Sequence, residues 1–359
     1  MKIKDKNLYY VGGVVRDEIL GVQSLDTDFC YEGNAIEFSK KFNVVKTNPD
    51  FGTVRIVDSD GEIDIASTRT ENYPKAGHLP VVDKIGCTLK EDLQRRDFTI
   101  NAMAKNTETN EIIDYFGGKQ DLEQKVLRVL HDQSFIDDPT RIIRGLKFSI
   151  RFGFELEEHT KKLQEQYLEN INYDISYHRL KKELKETFNL NKEEAYSRFI
   201  EQNLYKLLGE NQKVPELKGS ISNLINKCNS KHIWIVYLGL FNLSNFNLTN
   251  EEISILDEYR KIKSYTSKND FETFKLFKSL PIETVILYGL QVDYKIVIKF
   301  LEKFANIELE TTGQDLIDLG ISQGKIFSEI FDFLLEEKFK NPDISKKEEL
   351  ELVKSKYLC

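Results

Sequence analysis

The feature that most constrains this chain is a change in sequence texture at about Asp137. Before this point, short apolar runs alternate with glycines and with the Asp60-Gly61 turn signal, a pattern typical of strands and tight turns. After it, apolar residues recur at helical spacing, and Gly and Pro become sparse. We therefore expect an α+β chain with an N-terminal head built on one mixed sheet and an all-α remainder.

The same periodicities locate the individual elements. A helix is predicted over Val14–Leu20, with Gly21 as its C-cap. The predicted strands of the head are Leu8–Val11, Asp28–Tyr31, Thr53–Val57, Glu62–Ala66 and Ile112–Phe116. The first predicted helices of the remainder are Thr140–Phe152, Glu157–Leu168, His178–Phe188 and Glu193–Leu208.

Composition excludes several classes of protein. The 359 residues are 40% hydrophobic and 31% charged, which suits a soluble protein of two to four small domains. No apolar run approaches the roughly 18 residues of a membrane helix, and no secretion signal is visible. The four cysteines are scattered without a CxxC pair, which favours a cytoplasmic protein. The net charge of −8 does not exclude nucleic acid as a partner, because 51 Lys and Arg residues remain and are locally clustered.

The first motif that can carry chemistry is Gly12-Gly13-Val-Val-Arg16, directly after a predicted strand. A glycine pair at this position lets backbone N–H groups approach a phosphate, and the following helix adds its positive end. Arg16 can pair with an anion. By itself the motif is better explained as a tight strand-to-helix turn with a surface arginine.

Asp26 and Asp28 follow closely and alter this balance. Carboxylates at positions i and i+2 of a strand point to the same side, and they repel each other unless they stay solvated or share a cation. Hard oxygen ligands of this kind suit Mg²⁺. A glycine turn, an arginine and an Asp-x-Asp in one short segment therefore predict a metal-assisted phosphate site.

Two further clusters combine arginine with acid. Arg96 and Asp97 suit contacts to the phosphates or base and to a sugar hydroxyl, or else a helix start with a surface ion pair. In the second cluster, Pro139 suits the first position of a helix that Asp138 caps. Three cations then recur every three residues along one face of that helix. They are Arg141, Arg144 and Lys147.

These motifs occur in the order found in class II tRNA nucleotidyltransferases, which the sequence resembles. That family comprises the bacterial and eukaryotic CCA-adding enzymes, the CC-adding and A-adding enzymes, and the bacterial poly(A) polymerases. The matching segments are GGVVRD, LDTD, TRTENYPKAGHLPVV, RRDFTINAMA, DYFGGKQDL, HDQSFIDDPTRIIRGLKF, RLKKE and the later GQDLIDLGISQG. The resemblance implies a polymerase-β-like head followed by a helical neck, body and tail. The corresponding predicted boundaries are 1–135, 136–190, 191–305 and 306–359.

The resemblance also implies roles for individual residues. Asp26 and Asp28 would be catalytic and would hold two Mg²⁺ ions. Asp114 to Leu122 would form a hinge between head and neck. The nucleotide-binding residues would be Gly12, Gly13, Arg16, Arg96, Asp97, Asp138, Arg141, Arg144 and Lys147. Arg179 and Glu183 would support the helix that carries the last four.

Three positions need separate comment. Asp137 stands where the family commonly has Glu, and Lys147 stands where Arg is common, so Lys147 lacks the planar fork needed for bidentate contacts. Asp64 is a candidate third metal carboxylate, because nucleotidyl-transfer folds often place a further acid on a neighbouring strand. An outward-facing acidic strand edge explains Asp64 equally well.

The predicted activity is template-independent addition of CCA, or part of it, to the 3′ end of tRNA from CTP and ATP. The expected partners are the tRNA acceptor arm and the two nucleotides, with no membrane association. A-only addition and poly(A) synthesis are alternatives within the family. A catalytically silent RNA-binding protein and a small-molecule nucleotidyltransferase are alternatives outside it.

Overall fold

A computed structural model describes residues 3–24, 27–58 and 61–358. The predicted catalytic residue Asp26 lies outside these described residues. The described strands are β1 Leu8–Val11, β2 Phe29–Tyr31, β3 Asn43–Asn48, β4 Thr53–Asp58, β5 Gly61–Ser67, β6 Arg69–Asn72, β7 Val81–Ile85, β8 Met103–Asn106, β9 Ile112–Asp114, β10 Val126–Leu127 and β11 Glu155–Leu156.

The first 214 residues also contain helices. They are α1 Gly13–Leu20, α2 Ala35–Ser39, α3 Leu89–Gln94, α4 Gly118–Gln124, α5 Ser134–Asp137, α6 Thr140–Phe152, α7 Glu158–Glu169, α8 Tyr177–Phe188 and α9 Glu193–Glu201. Short 3₁₀ turns cover Pro49–Phe51, Thr99–Asn101 and Leu204–Leu208.

The later helices have no strands among them in the described part of the chain. They are α10 Ile221–Ile225, α11 Ile233–Leu238, α12 Asn250–Ile262, α13 Asp270–Lys278, α14 Ile282–Gln291, α15 Tyr294–Lys299, α16 Gly313–Asp318, α17 Lys325–Lys340 and α18 Lys346–Tyr357. A π-helical turn, Phe300–Phe304, continues α15.

Seven strands form the main sheet in the order β3-β4-β5-β2-β1-β8-β9. All neighbours are antiparallel except β2 and β5, whose parallel register pairs Phe29 with Ile65. One core cluster fills the side of the sheet covered by α2, with Leu8, Ile56 and Ile65 fully buried. This mixed sheet followed by helices is the predicted α+β fold.

The chain divides into two compact units. The first contains residues 1–214 and the returning segment 242–247, and it holds every described strand. The second contains residues 215–241 and 248–359 and is helical where described. Trp234 and Tyr237 on α11 and the later Phe241 are buried in it. The four-part division into head, neck, body and tail stays a prediction.

Several element predictions match the structure closely, and one is wrong. Helix α6 has the predicted bounds Thr140–Phe152 and ends at Gly153 in the left-handed conformation (φ 68°). The predicted single helix Glu193–Leu208 is interrupted, because Asn203 adopts φ 59° and the chain continues as a 3₁₀ turn. Strands β3, β6, β7, β8, β10 and β11 were not predicted. None of the helices in the described ranges has the length and hydrophobicity that a membrane span requires.

Candidate active site

A cleft of about 500 Å³ lies on the sheet of the first unit, across β2, β4 and β5. Its charged lining combines two carboxylates with five cations: Asp28, Asp64, Lys46, Arg55, Arg69, Arg95 and Arg96. Excess positive charge around a small acidic centre suits a polyanionic ligand that arrives with a cation. The cleft therefore brings together Asp28, Arg96 and Asp64 from the predicted site.

The glycine turn forms one end of this region. Gly12 precedes α1 and adopts φ 72°, a conformation that side chains disfavour. A Cβ atom on Gly12 would lie 3.0 Å from Nη1 of Arg96. Gly13 begins α1, and a Cβ there would lie 3.4 Å from Nη2 of Arg16. The glycine pair thus allows two guanidinium groups to approach the backbone at the start of the helix.

Asp64 lies on β5, and Asp28 directly precedes β2, the strand that neighbours β5 in the sheet. Each directly precedes one member of the Phe29–Ile65 pair, and both line the cleft. Asp64 accepts two bonds from Arg55, at 2.8 Å from Nε and 2.7 Å from Nη2. These bonds lower the pKa of Asp64. Asp64 is exposed and lines the cleft with Asp28, and its role as a third metal carboxylate stays a prediction.

The carboxylates fit a divalent cation. Two exposed carboxylates in one cleft supply the hard oxygen ligands and the open coordination positions that Mg²⁺ requires. Within the described residues, no group of three potential ligands is already assembled. A complete centre on this chain would therefore take Asp28 together with Asp26 and, after rearrangement, Asp64.

Arg16 is more deeply placed than a simple phosphate ligand. It is 4% exposed, and its guanidinium stacks 4.7 Å from the ring centre of Phe152. It donates to Asp17 at 2.8 Å and to Asn101 at 2.6 Å. Burial lowers the pKa of Arg16, partly offset by Asp17. Arg16 thus joins α1 to α6, and its predicted contact with a triphosphate stays a prediction.

Asp92 anchors the two arginines of the second motif. It is fully buried at the end of α3, and it accepts from Arg95 at 2.8 Å and from Arg96 at 3.1 Å. Burial raises its pKa, but attraction to Arg96 and Arg95 outweighs burial and leaves the pKa lowered. Nε of Arg96 is buried without a partner among the described residues. The motif therefore ends a helix, which excludes the alternative of a helix start.

Asp97 connects the strand region to α6. Its Oδ2 accepts from Nε and Nη2 of Arg144, at 2.8 and 2.7 Å. Its Oδ1 accepts from the backbone N–H of Phe98 and the amide of Asn101. Burial raises the pKa of Asp97, but Arg144 and these hydrogen bonds outweigh burial and hold the pKa at about 2. Both oxygens are occupied, so a sugar contact requires rearrangement.

The network continues to α8 through Glu183. Glu183 accepts from Arg144 at 3.1 Å and from Lys147 at 2.7 Å. Lys147 also reaches Glu186 at 2.6 Å. Burial lowers the pKa of Arg144, but attraction to Asp97 and Glu183 outweighs burial and raises it. The basic face of α6 is therefore engaged in a partly buried ion network.

Asp138 and Arg141 are both buried at the start of α6. Asp138 accepts from the hydroxyl of Thr140 at 2.6 Å, from its N–H at 3.2 Å, and from Arg179. Arg141 donates to Ser134 at 2.7 Å and to the carbonyl of Arg95 at 2.9 Å. The prediction of Asp138 as the N-cap is off by one residue, because α6 begins at Thr140 with Pro139 at its N-cap; the contact of Asp138 with Arg179 is present.

The predicted hinge segment is held by capping carboxylates. Asp114 accepts from the N–H groups of Gly118 and Lys119, both at 2.9 Å. Asp121, nearly fully buried, accepts from the hydroxyl of Thr99 at 2.6 Å. These bonds fix the connection that leads from the sheet towards α5 and α6.

Sequence reasoning missed four residues that organise the site: Arg55, Asp92, Asn101 and Tyr73. Arg55 alternates with apolar residues on β4, which gives the signal of an exposed strand position. Asp92 resembles an ordinary acid of a helix. Tyr73 lies 3.3 Å from Arg141, 68 residues later in the sequence. Only the fold shows these contacts.

Comparison with known proteins identifies the family. A model described as the poly A polymerase head domain matches residues 8–128. An A-adding tRNA nucleotidyltransferase from Halalkalibacterium halodurans is 32% identical over 356 residues, which cover 90% of this chain and 82% of that protein. The chain belongs to the tRNA nucleotidyltransferase family.

The chain is also similar to a second A-adding enzyme and to a CCA-adding enzyme of known structure. An A-adding tRNA nucleotidyltransferase from Aquifex aeolicus is 34% identical over 344 residues, 84% of this chain, yet the chain spans only 41% of that protein. The structure of the Thermotoga maritima CCA-adding enzyme complexed with tRNA matches with a TM-score of 0.71 and 29% identity. That match covers 97% of this chain and 90% of the Thermotoga chain.

Proposed function

We propose that this chain is a template-independent tRNA nucleotidyltransferase that adds CCA, or part of it, to tRNA 3′ ends from CTP and ATP. The observation that carries the proposal is the cleft in which Asp28 and Asp64 lie beside Arg96. The complexed Thermotoga relative supports tRNA as the acceptor.

In the reaction, the 3′-hydroxyl of the RNA gives its proton to solvent, its oxygen bonds to the α-phosphorus of the nucleotide, and the bond to the bridging oxygen of the β-phosphate breaks. Pyrophosphate leaves. Asp26 and Asp28, with Asp64 as a further ligand, would hold two Mg²⁺ ions, which would supply activation of the hydroxyl and neutralisation of the phosphates. The N–H groups after Gly12 and the guanidinium of Arg96 orient the triphosphate. Positioning and electrostatics are the main contributions of a protein to phosphoryl transfer.

Asp138 and Arg141 select the base in this proposal. Cytosine and adenine present an amine donor beside a ring-nitrogen acceptor, whereas uracil and guanine present the opposite order. A carboxylate only accepts and a guanidinium only donates, so the pair matches C and A. U and G would leave buried charges unpaired, which is the strong form of rejection. Arg144 and Lys147 support this helix through Glu183.

The helical residues after 136 would serve as neck, body and tail that hold the tRNA acceptor arm. Backbone phosphates and RNA shape, read by clustered lysines, would provide affinity there. We place the enzyme in the cytoplasm, where tRNA is processed, with no membrane partner. Catalysis in this reading belongs to residues 1–135.

The test uses [α-³²P]ATP and [α-³²P]CTP with tRNA transcripts that end without C, with one C, or with CC. Wild-type protein with Mg²⁺ should label tRNA, and Asp28→Ala should reduce the rate at least about a hundredfold. Asp257→Ala is the matched control, because Asp257 is an exposed acid paired with Arg260 on α12. Absence of any labelling by wild-type protein would leave a silent RNA-binding protein, and labelling without tRNA would indicate a small-molecule enzyme.

A-only addition is the second candidate, because the relatives from Aquifex aeolicus and Halalkalibacterium halodurans are named A-adding enzymes. It predicts labelling with ATP on tRNA ending in CC and none with CTP on any transcript. Full CCA addition predicts CTP labelling on the shorter transcripts. Addition of more than three nucleotides to a transcript would instead identify a poly(A) polymerase.

A further inference from the structure

Arg55 lies in the catalytic cleft beside the candidate metal carboxylates. On β4 it is paired in register with Asp64 on β5, the strand that neighbours β2. Arg55 on β4, Asp64 on β5 and Asp28, directly before β2, are therefore successive neighbours across the sheet. All three line the same cleft.

The contacts of Arg55 are directed wholly at acids. Nε and Nη2 hold both oxygens of Asp64, at 2.8 and 2.7 Å, and Nη1 reaches Glu62 at 3.3 Å. Bidentate pairing fixes the orientation of a carboxylate more firmly than a single contact does. Yet Asp64 remains 60% exposed, so this pair is open to exchange with a ligand from the cleft.

The pairing has a consequence for metal binding. While Asp64 gives both oxygens to Arg55, fewer of its lone pairs remain for a cation that Asp28 also holds. A divalent ion and Arg55 therefore compete for the same carboxylate. A guanidinium left beside the metal site would then be available to the phosphates that fill the cleft.

Building on the proposed function, we propose that Arg55 is a positioning residue that holds Asp64 in the absence of metal and gives it up when a divalent cation binds. Arg55 balances the charge of the acidic site before the cation arrives. It thereby keeps Asp64 oriented into the cleft. The cost is weaker metal binding by the free enzyme than the carboxylates alone would provide.

The experiment measures Mn²⁺ binding to the full chain by electron paramagnetic resonance, without nucleotide or RNA. The proteins compared are wild type, Arg55→Gln, Asp64→Asn and the double variant. Arg260→Gln is the matched control, since it removes the same charge from an exposed pair on α12. Thermal melting of each protein verifies that it is folded.

We expect Arg55→Gln to lower the Mn²⁺ dissociation constant about twofold to fivefold, in the range set by exposed ion pairs with good geometry. In the Asp64→Asn background the same change should alter it less than twofold, because the shared carboxylate is gone. Arg55→Lys should fall between wild type and Arg55→Gln, since lysine keeps the charge but loses the bidentate fork.

Two outcomes would overturn the proposal. Equal tightening with and without Asp64 would mean that Arg55 acts only as a nearby charge. Unchanged Mn²⁺ affinity in Arg55→Gln would mean that no competition exists. Neither result touches the proposed function, which depends on tRNA labelling by the wild-type enzyme and its loss in Asp28→Ala.

Discussion

Replacing Asp97 with asparagine should destabilise the first unit, because Asp97 is the buried link between the strand region and α6. The carboxylate is 8% exposed and accepts two bonds from Arg144. The fall of its pKa from an ordinary 3.8 to about 2 corresponds to roughly 2 kcal/mol in favour of the folded state. Arg144 would keep Glu183 as a partner, so the loss should stay near this value and not reach the ~3–5 kcal/mol of a fully orphaned buried charge.

Differential scanning calorimetry of the full chain measures this effect. For a unit of this size, about 2 kcal/mol corresponds to a melting temperature lower by roughly 4–8 °C at pH 7. The control is Asp257→Asn, whose exposed pair with Arg260 should be worth less than about 1 kcal/mol. A melting temperature for Asp97→Asn within the control's range would refute the assigned role of the buried pair.

The pH dependence gives an independent check of the sign. The folded-state pKa of Asp97 is depressed, so its stabilisation is complete above the unfolded value near 4 and is lost as the pH falls towards about 2. The difference in stability between wild type and Asp97→Asn should therefore be constant from pH 7 to about 5 and shrink below about 4. A difference that instead grows on acidification would contradict the argument.

Three further predictions follow from buried contacts and charge. Lys338→Met should destabilise the second unit by ~1.5–3 kcal/mol in calorimetry, because Glu349, 1% exposed, loses its cation but keeps the N–H groups of Glu310 and Thr311. Gly118→Ala should cost ~1–3 kcal/mol by denaturant unfolding, since the new Cβ would lie 2.4 Å from the carbonyl oxygen of Thr99. In filter-binding assays, tRNA affinity should fall about tenfold or more between 50 and 200 mM salt, because clustered lysines release counterions.

The sequence predicts the bounds of an element when that element has its own apolar periodicity and its own capping residues. Helix α6 combines a clear apolar face with Gly153 at its end, so its bounds follow from the sequence. Strand β3 has neither signal, since all six of its residues are exposed and only pairing with β4 makes it a strand. The break at Asn203 was missed because helical spacing continues across it.

The site residues also divide into those that the sequence predicts and those that only the fold brings together. The resemblance assigned Asp138 and Arg179 to one region, and the structure places them in contact although 41 residues separate them. No local pattern predicts that Asp97 reaches Arg144, or that Arg55 holds Asp64 across two strands. Such pairs depend on strand register and on the packing of α6, which are non-local properties of the fold.

Base selection is the prediction that best separates a nucleotide-reading role from a structural one at the start of α6. Asp138 accepts from both the N–H and the hydroxyl of Thr140, the first residue of α6, so it stabilises the start of the helix although Pro139 holds the N-cap position. A purely capping role predicts that Asp138→Ala lowers stability and slows incorporation of all four nucleotides equally. A reading role predicts that Asp138→Ala and Arg141→Ala admit UTP and GTP.

Thr140→Val supplies the matched control, because it removes the hydroxyl partner of Asp138 and leaves the carboxylate in place. It should lower the melting temperature while the ratios of incorporation efficiency among the four nucleotides stay as in wild type. In Asp138→Ala and Arg141→Ala, discrimination against UTP and GTP should relax by about tenfold or more, because the unpaired buried charge that rejects them is gone. If the ratios stay constant in these two variants, neither residue reads the base, and the selectivity of the cleft must come from elsewhere on the chain.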